Sequence, residues 1–205
     1  MSFETDKFSH GYIPIYEKYF KECKNVLNVL EIGIYNGGSL RYLSNYFPNA
    51  IIHGIDIEYK KNIETDKIKT YICNQESRED LKNFLSSTNV MFDIIIDDGG
   101  HTMKQQQTSF GVLFKKVIPG GLYILEDLHT SIWETNLAHG GGFITEEDKI
   151  TSLDMLTNYN KDKKIISNYI TTEEINFLES NIESVEIWTR TPDFTQSVTS
   201  IIKKI

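Results

Sequence analysis

The stretch Phe92-Asp93-Ile94-Ile95-Ile96-Asp97-Asp98-Gly99-Gly100-His101 decides how the chain is read. Phe92 to Ile96 is apolar apart from Asp93, the pattern of a buried strand. It runs into two carboxylates, and an imidazole follows. A second run, Leu122-Tyr123-Ile124-Leu125, ends in Glu126-Asp127 and then His129. If the two strands are neighbours in a parallel sheet, both acidic ends open on the edge where α/β proteins bind their ligands. They can then share one divalent cation, and an all-oxygen ligand set favours magnesium or manganese over zinc.

Upstream, Val26 to Leu30 reads as a strand leading into Glu31-Ile32-Gly33-Ile34-Tyr35-Asn36-Gly37-Gly38-Ser39, after which Leu40, Leu43 and Phe47 carry helical spacing. A strand, a glycine turn and a helix start leave unpaired backbone N–H groups, which suit an anionic or carboxylate-bearing ligand. The strand Ala50 to Ile57 places Asp56 near its end, in reach of ribose hydroxyls. Gly33 and Gly38 match the first and third glycines of the dinucleotide fingerprint, but Tyr35 takes the second. That glycine lets backbone approach a pyrophosphate, so a nucleoside without a diphosphate, such as S-adenosylmethionine, fits better than NAD. The candidate cofactor residues are therefore Glu31, Gly33, Tyr35, Ser39 and Asp56. Asn74 and Gln75, in the loop after the strand Lys69 to Ile72, are candidates for the adenine edge, and Asp97 for orienting the cofactor.

The remaining elements complete an alternating pattern. Ser77-Arg78-Glu79-Asp80 resembles a capping box, the helix from Met103 to about Val117 is stopped by Ile118-Pro119-Gly120-Gly121, and strand five follows at Leu122. Helices are expected over Ile150 to Tyr159 and Thr172 to Leu178. Val185 to Trp188 and Ser197 to Ile202 form a closing hairpin with a turn containing Pro192-Asp193. The expected fold is a single α/β domain over residues 1–205, Rossmann-like and doubly wound, with a seven-stranded, mostly parallel sheet ending in an antiparallel hairpin. The N-terminal segment, residues 1–24, reads either as a helix packed on the sheet or as a lid over a small ligand. Residues 130–148 read either as a mobile substrate loop or as a plain surface connection.

Composition excludes several classes. The chain has 205 residues, a formal net charge of −8 and a pI near 5.2. Nucleic-acid affinity rests on cations that neutralise phosphates, so a nucleic-acid partner is not expected. No apolar segment approaches the roughly 20 residues that span a bilayer. Cys23 and Cys73 are far apart, without metal-like spacing, and Met1 is followed by polar residues rather than a leader. A reduced, cytoplasmic protein without membrane insertion is expected.

Val29-Leu30-Glu31-Ile32-Gly33, Asp56, Asp97-Asp98 and the terminal hairpin together resemble the class I S-adenosylmethionine-dependent methyltransferases. More narrowly, Asp98-Gly99-Gly100-His101 and Leu125-Glu126-Asp127-Leu128-His129-Thr130 resemble the magnesium-dependent sugar O-methyltransferases of the macrocin and mycinamicin type. The resemblance implies that Asp98, Glu126 and Asp127 bind the metal and His101 is the general base, with Gly33 at the methionine end of the cofactor and Asp56 on its ribose. His129 is a second candidate, for binding the acceptor or as an alternative base. The implied acceptor is a sugar hydroxyl, on a capsule or lipopolysaccharide heptose or hexose, a nucleotide conjugate, or a natural-product glycoside. A catechol-type O-methyltransferase and a non-catalytic cofactor-binding module remain alternatives, and a homo-oligomer is compatible with each.

Overall fold

The computed structural model describes residues 4–189 and 197–205; the expected turn at Pro192-Asp193 lies outside them. The sheet strands are β1 (Asn28–Ile32), β2 (Ile51–Asp56), β3 (Ile68–Ile72), β4 (Phe92–Asp97), β5 (Val117–Leu125), β6 (Ile182–Thr189) and β7 (Val198–Lys204). They form one seven-stranded sheet in the order β3-β2-β1-β4-β5-β7-β6. The first five are parallel, and β7 runs antiparallel to both β5 and β6. The switch point lies between β1 and β4, where the chain direction of winding reverses and a crevice opens beyond the strand ends.

The helices are α1 (Tyr12–Phe20), α2 (Gly38–Tyr46), α3 (Arg78–Thr88), α4 (Met103–Leu113), α5 (Trp133–Ala138), α6 (Ser152–Asp162) and α7 (Thr172–Asn181). Strand side chains alternate between faces, and the core divides accordingly. Leu30, Ile95, Tyr123 and Leu125 pack under α3, α4 and α6, whereas Val29, Ile94, Ile96 and Ile124 pack under α1 and α2. This alternation decides where each acid at the strand ends points.

Helix α1 is a packed element: Tyr12, Ile13, Tyr16 and Phe20 are buried. Its outer end is pinned to β6, where Trp188 Nε1 donates to the Tyr19 hydroxyl at 2.8 Å and Lys18 Nζ sits 4.4 Å from the Trp188 ring centre. No helix among the described residues is long and apolar enough to cross a membrane.

Two expected boundaries are corrected. Helix α4 ends at Leu113, a 3₁₀ turn follows over Phe114–Lys116, and β5 begins at Val117 rather than Leu122. Phe92 pairs with Val117 and Ile94 already pairs with Leu122, so Ile118 to Gly121 bulge out of the ladder opposite a single residue. A bulge tolerates Pro119, which has no N–H to give, and Gly120, whose φ is +76°. The segment after Asp127 is not loop throughout: it holds a 3₁₀ turn, Leu128–Ser131, and α5. Asn136 Oδ1 accepts from the Phe143 and Ile144 amides and ties the glycine run Gly140-Gly141-Gly142 back to α5. Six residues are too few to display a helical period.

Candidate active site

A cavity of about 900 Å³ opens at the switch point. Gly33, Tyr35, Ser39, Asp56, Asn74 and Gln75 line it together with Asp98, His101 and Asp127. Its volume falls in the range of small-molecule sites. Two of the expected cofactor residues, Glu31 and Asp97, are buried beneath this lining.

Gly33 is required by close approach. Its φ is +86°, and a Cβ there would lie 2.1 Å from the Asp98 carbonyl oxygen, so the turn after β1 and the end of β4 touch backbone to backbone. Asp56 organises the glycine turn: Oδ2 accepts from the Ile34 and Tyr35 amides at 2.9 and 3.4 Å, and Oδ1 from Glu58 N at 2.9 Å. A carboxylate has about four acceptor positions, so Asp56 keeps capacity for a further donor from the cavity. Tyr35 has φ +48° and is exposed. Asn74 Oδ1 accepts from Glu76 N at 3.1 Å, which shapes the loop over the cavity.

Gln75 has a role that sequence reading missed. Its Nε2 donates to Asp97 Oδ1 at 2.6 Å, and its Oε1 accepts from Gly100 N at 3.0 Å. It clamps the Asp97–Gly100 turn from within. Asp97, expected to orient the cofactor, lies beneath the lining. It points to the α4 side, where Gln75 Nε2, the Ser109 hydroxyl and the Tyr123 hydroxyl all donate to it, and it does not line the cavity. Burial raises its carboxyl to about 6, against the pull of these hydrogen bonds.

On the α1 side the acids gather around Lys7, which no sequence pattern marks. Its ammonium, 1% exposed, contacts Asp98 Oδ2 and lies 2.7 Å from Glu126 Oε1 and 3.4 Å from Glu31 Oε1. Burial works to lower its pKa, but the three carboxylates more than reverse that and keep it charged. Glu31 is raised to about 7 by burial, with Lys7 and the Ser39 hydroxyl opposing. Tyr16 donates to Glu126 and Tyr12 to Asp127, so α1 adds two hydroxyls to the cluster. Burial and the neighbouring Asp98 push the Glu126 carboxyl well up. The one available sign of Lys7 was indirect: Glu31, Asp98, Glu126 and Asp127 on one edge call for a cation from elsewhere in the chain.

His101 joins β4 to β5. Nε2 lies 3.1 Å from Asp127 Oδ2 and 3.9 Å from Asp98 Oδ1, while Nδ1 is buried with no hydrogen-bond partner among the described residues. Burial works against the charged form of Asp127, but His101 and the Tyr12 hydroxyl hold its pKa below the usual carboxylate range. One ligand atom each from Asp98, His101 and Asp127 lie within 4.8 Å of one another, an arrangement that can hold a metal ion. Glu126, the third expected metal ligand, is engaged by Lys7 and Tyr16, and its Oε2 is buried without a partner among the described residues. His129 is nearly buried behind Asp127, 3.7 Å away, and against His139, and burial lowers its pKa.

No family model matches the chain. It is 38% identical over 155 residues to the demethylmacrocin O-methyltransferase of Streptomyces fradiae, spanning 72% of this chain and 38% of that protein. It is 37% identical over 157 residues to the mycinamicin VI 2''-O-methyltransferase of Micromonospora griseorubida, spanning 73% and 38%. Among solved structures, the MycE methyltransferase from the mycinamycin biosynthetic pathway, in complex with Mg and SAH, aligns with a TM-score of 0.73 at 29% identity, over 94% of this chain and 49% of that one. The chain thus spans well under half the length of the curated relatives it matches.

Proposed function

We propose that this chain, a homologue of sugar O-methyltransferases with the class I S-adenosylmethionine-dependent methyltransferase fold, transfers a methyl group from S-adenosylmethionine to a sugar hydroxyl with the help of a divalent cation, magnesium first. The observation that carries the reading is one cavity at the switch point whose lining holds both Gly33 and Asp56 and the Asp98–His101–Asp127 cluster. The acceptor class we assign is a glycoside or a capsule or lipopolysaccharide sugar, free or nucleotide-linked.

The residues fit both groups. Asp56, which keeps acceptor capacity beyond the Ile34, Tyr35 and Glu58 amides, offers a carboxylate to the nucleoside, and the glycine turn it organises lines the cavity beside it. Asp98 and Asp127 would hold the metal, with the unpartnered Oε2 of Glu126 as the third oxygen. When bound, the cofactor supplies an electrophilic methyl and the cation supplies charge that stabilises an acceptor oxygen losing its proton.

The chain's own residues do the rest. Asp127, fixed by the Tyr12 hydroxyl, lies 3.1 Å from His101 Nε2 through its Oδ2 and holds the ring at the cavity beside Asp98. His101 would take the proton of the acceptor hydroxyl, which could then attack the cofactor's methyl in line. The φ of +61° at His101 and +53° at Asp127 holds both side chains by backbone conformations that non-glycine residues rarely adopt.

The test is methyl transfer across sugar nucleotides and glycosides, with magnesium and then with EDTA. Product that disappears with EDTA supports the reading. Product that survives EDTA removes the metal from it, and cofactor binding without turnover on any sugar, phenol or catechol points to a non-catalytic module.

A further inference from the structure

The ammonium of Lys7 is seated on carboxylate oxygens that the proposed metal would share. It contacts Asp98 and Glu126, and its third neighbour is Glu31, which has no place in the metal set. We propose that Lys7 is a tethered competitor for the metal: it neutralises Asp98 and Glu126 when no metal is bound, and yields them to the metal by withdrawing onto Glu31. The inference rests on the metal-dependent reading above and adds to it a residue that sets metal affinity without ligating the ion.

Three observations support it. Lys7 is buried with no water-facing alternative, so its charge must stay on a carboxylate wherever it moves. Glu31 supplies one: Oε1 is already 3.4 Å from Nζ, and Oε2 is buried without a partner among the described residues. The cluster sets four carboxylates, Glu31, Asp98, Glu126 and Asp127, against one ammonium, which leaves formal negative charge for a second, divalent cation. Strand alternation accounts for the grouping, because Glu31, Asp98 and Glu126 share the sheet face that carries α1.

The two neighbouring residues are then expected to shift metal affinity in opposite directions. Titrating the full chain with magnesium or manganese by calorimetry, Lys7→Gln, which keeps a donor but removes the charge, should bind metal at least tenfold more tightly than the unaltered chain. Glu31→Gln, which removes the place to withdraw to, should bind severalfold more weakly. Asp98→Asn controls for the site and should abolish binding. Equal affinity for Lys7→Gln and the unaltered chain, or weaker binding by Lys7→Gln, overturns the proposal while the metal reading stands. No binding by the unaltered chain removes both.

A second measurement needs no variant. Lysine-selective NMR of the Lys7 ammonium should show its resonance move when saturating magnesium replaces EDTA, while reductive methylation leaves the buried side chain protected in both states. A resonance that stays in place in metal-saturated protein overturns the proposal, including where Lys7→Gln does not fold.

Discussion

The two faces of the sheet treat adjacent acids in opposite ways. Asp97, on the α4 face, is surrounded by neutral donors from Gln75, Ser109 and Tyr123. Asp98, one residue on, turns to the α1 face with Glu31 and Glu126 and meets a lysine. Neutral donors fixed in the core make a permanent joint that holds the end of β4 in place. A cation on a flexible stem makes an exchangeable one, and the cavity opens beside it. A single strand end thus supplies, in consecutive positions, an acid held by neutral donors and an acid held by a cation.

The largest expected effect lies at His101. His101→Ala should lower turnover by about 10²- to 10⁴-fold, the usual range for a general base, with metal affinity nearly unchanged. Steady-state kinetics beside a metal titration checks both, and a matching loss of metal affinity would make His101 a ligand instead of the base. At the structural end, Asp97→Ala leaves the buried Tyr123 hydroxyl without its acceptor and loosens Gln75 and Ser109, and should cost about 2–4 kcal/mol of stability in urea denaturation. Asp98→Ala, in contact with the cavity, should cost less stability than that and more metal affinity.

The pH response should separate the faces by sign. The Asp97 pKa is raised from 3.8 to about 6 in the folded chain, so its contribution is fully present below pH 4 and is lost as pH rises through 6. That loss amounts to about 3 kcal/mol. Asp127 is lowered instead, and its contribution is present at neutral pH and lost as pH falls through its folded pKa. Stability curves of Asp97→Asn and Asp127→Asn, each subtracted from the unaltered chain, should slope in opposite directions between pH 3 and 7; parallel curves would erase the distinction. The smallest effect is expected from Tyr12→Phe, about 1.5–2 kcal/mol in stability from one lost hydrogen bond to a carboxylate, with a modest fall in turnover.

Much of this arrangement is legible in the chain. Apolar strands alternating with helical spacing give the doubly wound sheet, and acids directly after Ile96 and Leu125 mark the edge where the site lies. Adjacent residues in a strand point to opposite faces, so Asp97 and Asp98 are separable from sequence, but which face holds the cavity depends on where the helices pack. Gln75 illustrates the same limit: its polar side chain suggests an adenine contact, and only folding reveals that it holds Asp97 and Gly100. Lys7 was hidden because its partners Asp98 and Glu126 lie 91 and 119 residues away. No local pattern encodes a pairing of that range.

The pinning of α1 to β6 gives the molecule an optical handle. Trp188 is half-buried, donates its indole N–H to Tyr19 and lies under the Lys18 ammonium, whereas Trp133 is more than half exposed. An indole ring quenched and polarised by these neighbours emits differently once α1 leaves, and Trp133→Phe removes the background. Fluorescence of that variant becomes a direct reading of whether the helix that carries Tyr12 and Tyr16 is seated, in a chain whose far-ultraviolet signal would scarcely register the change.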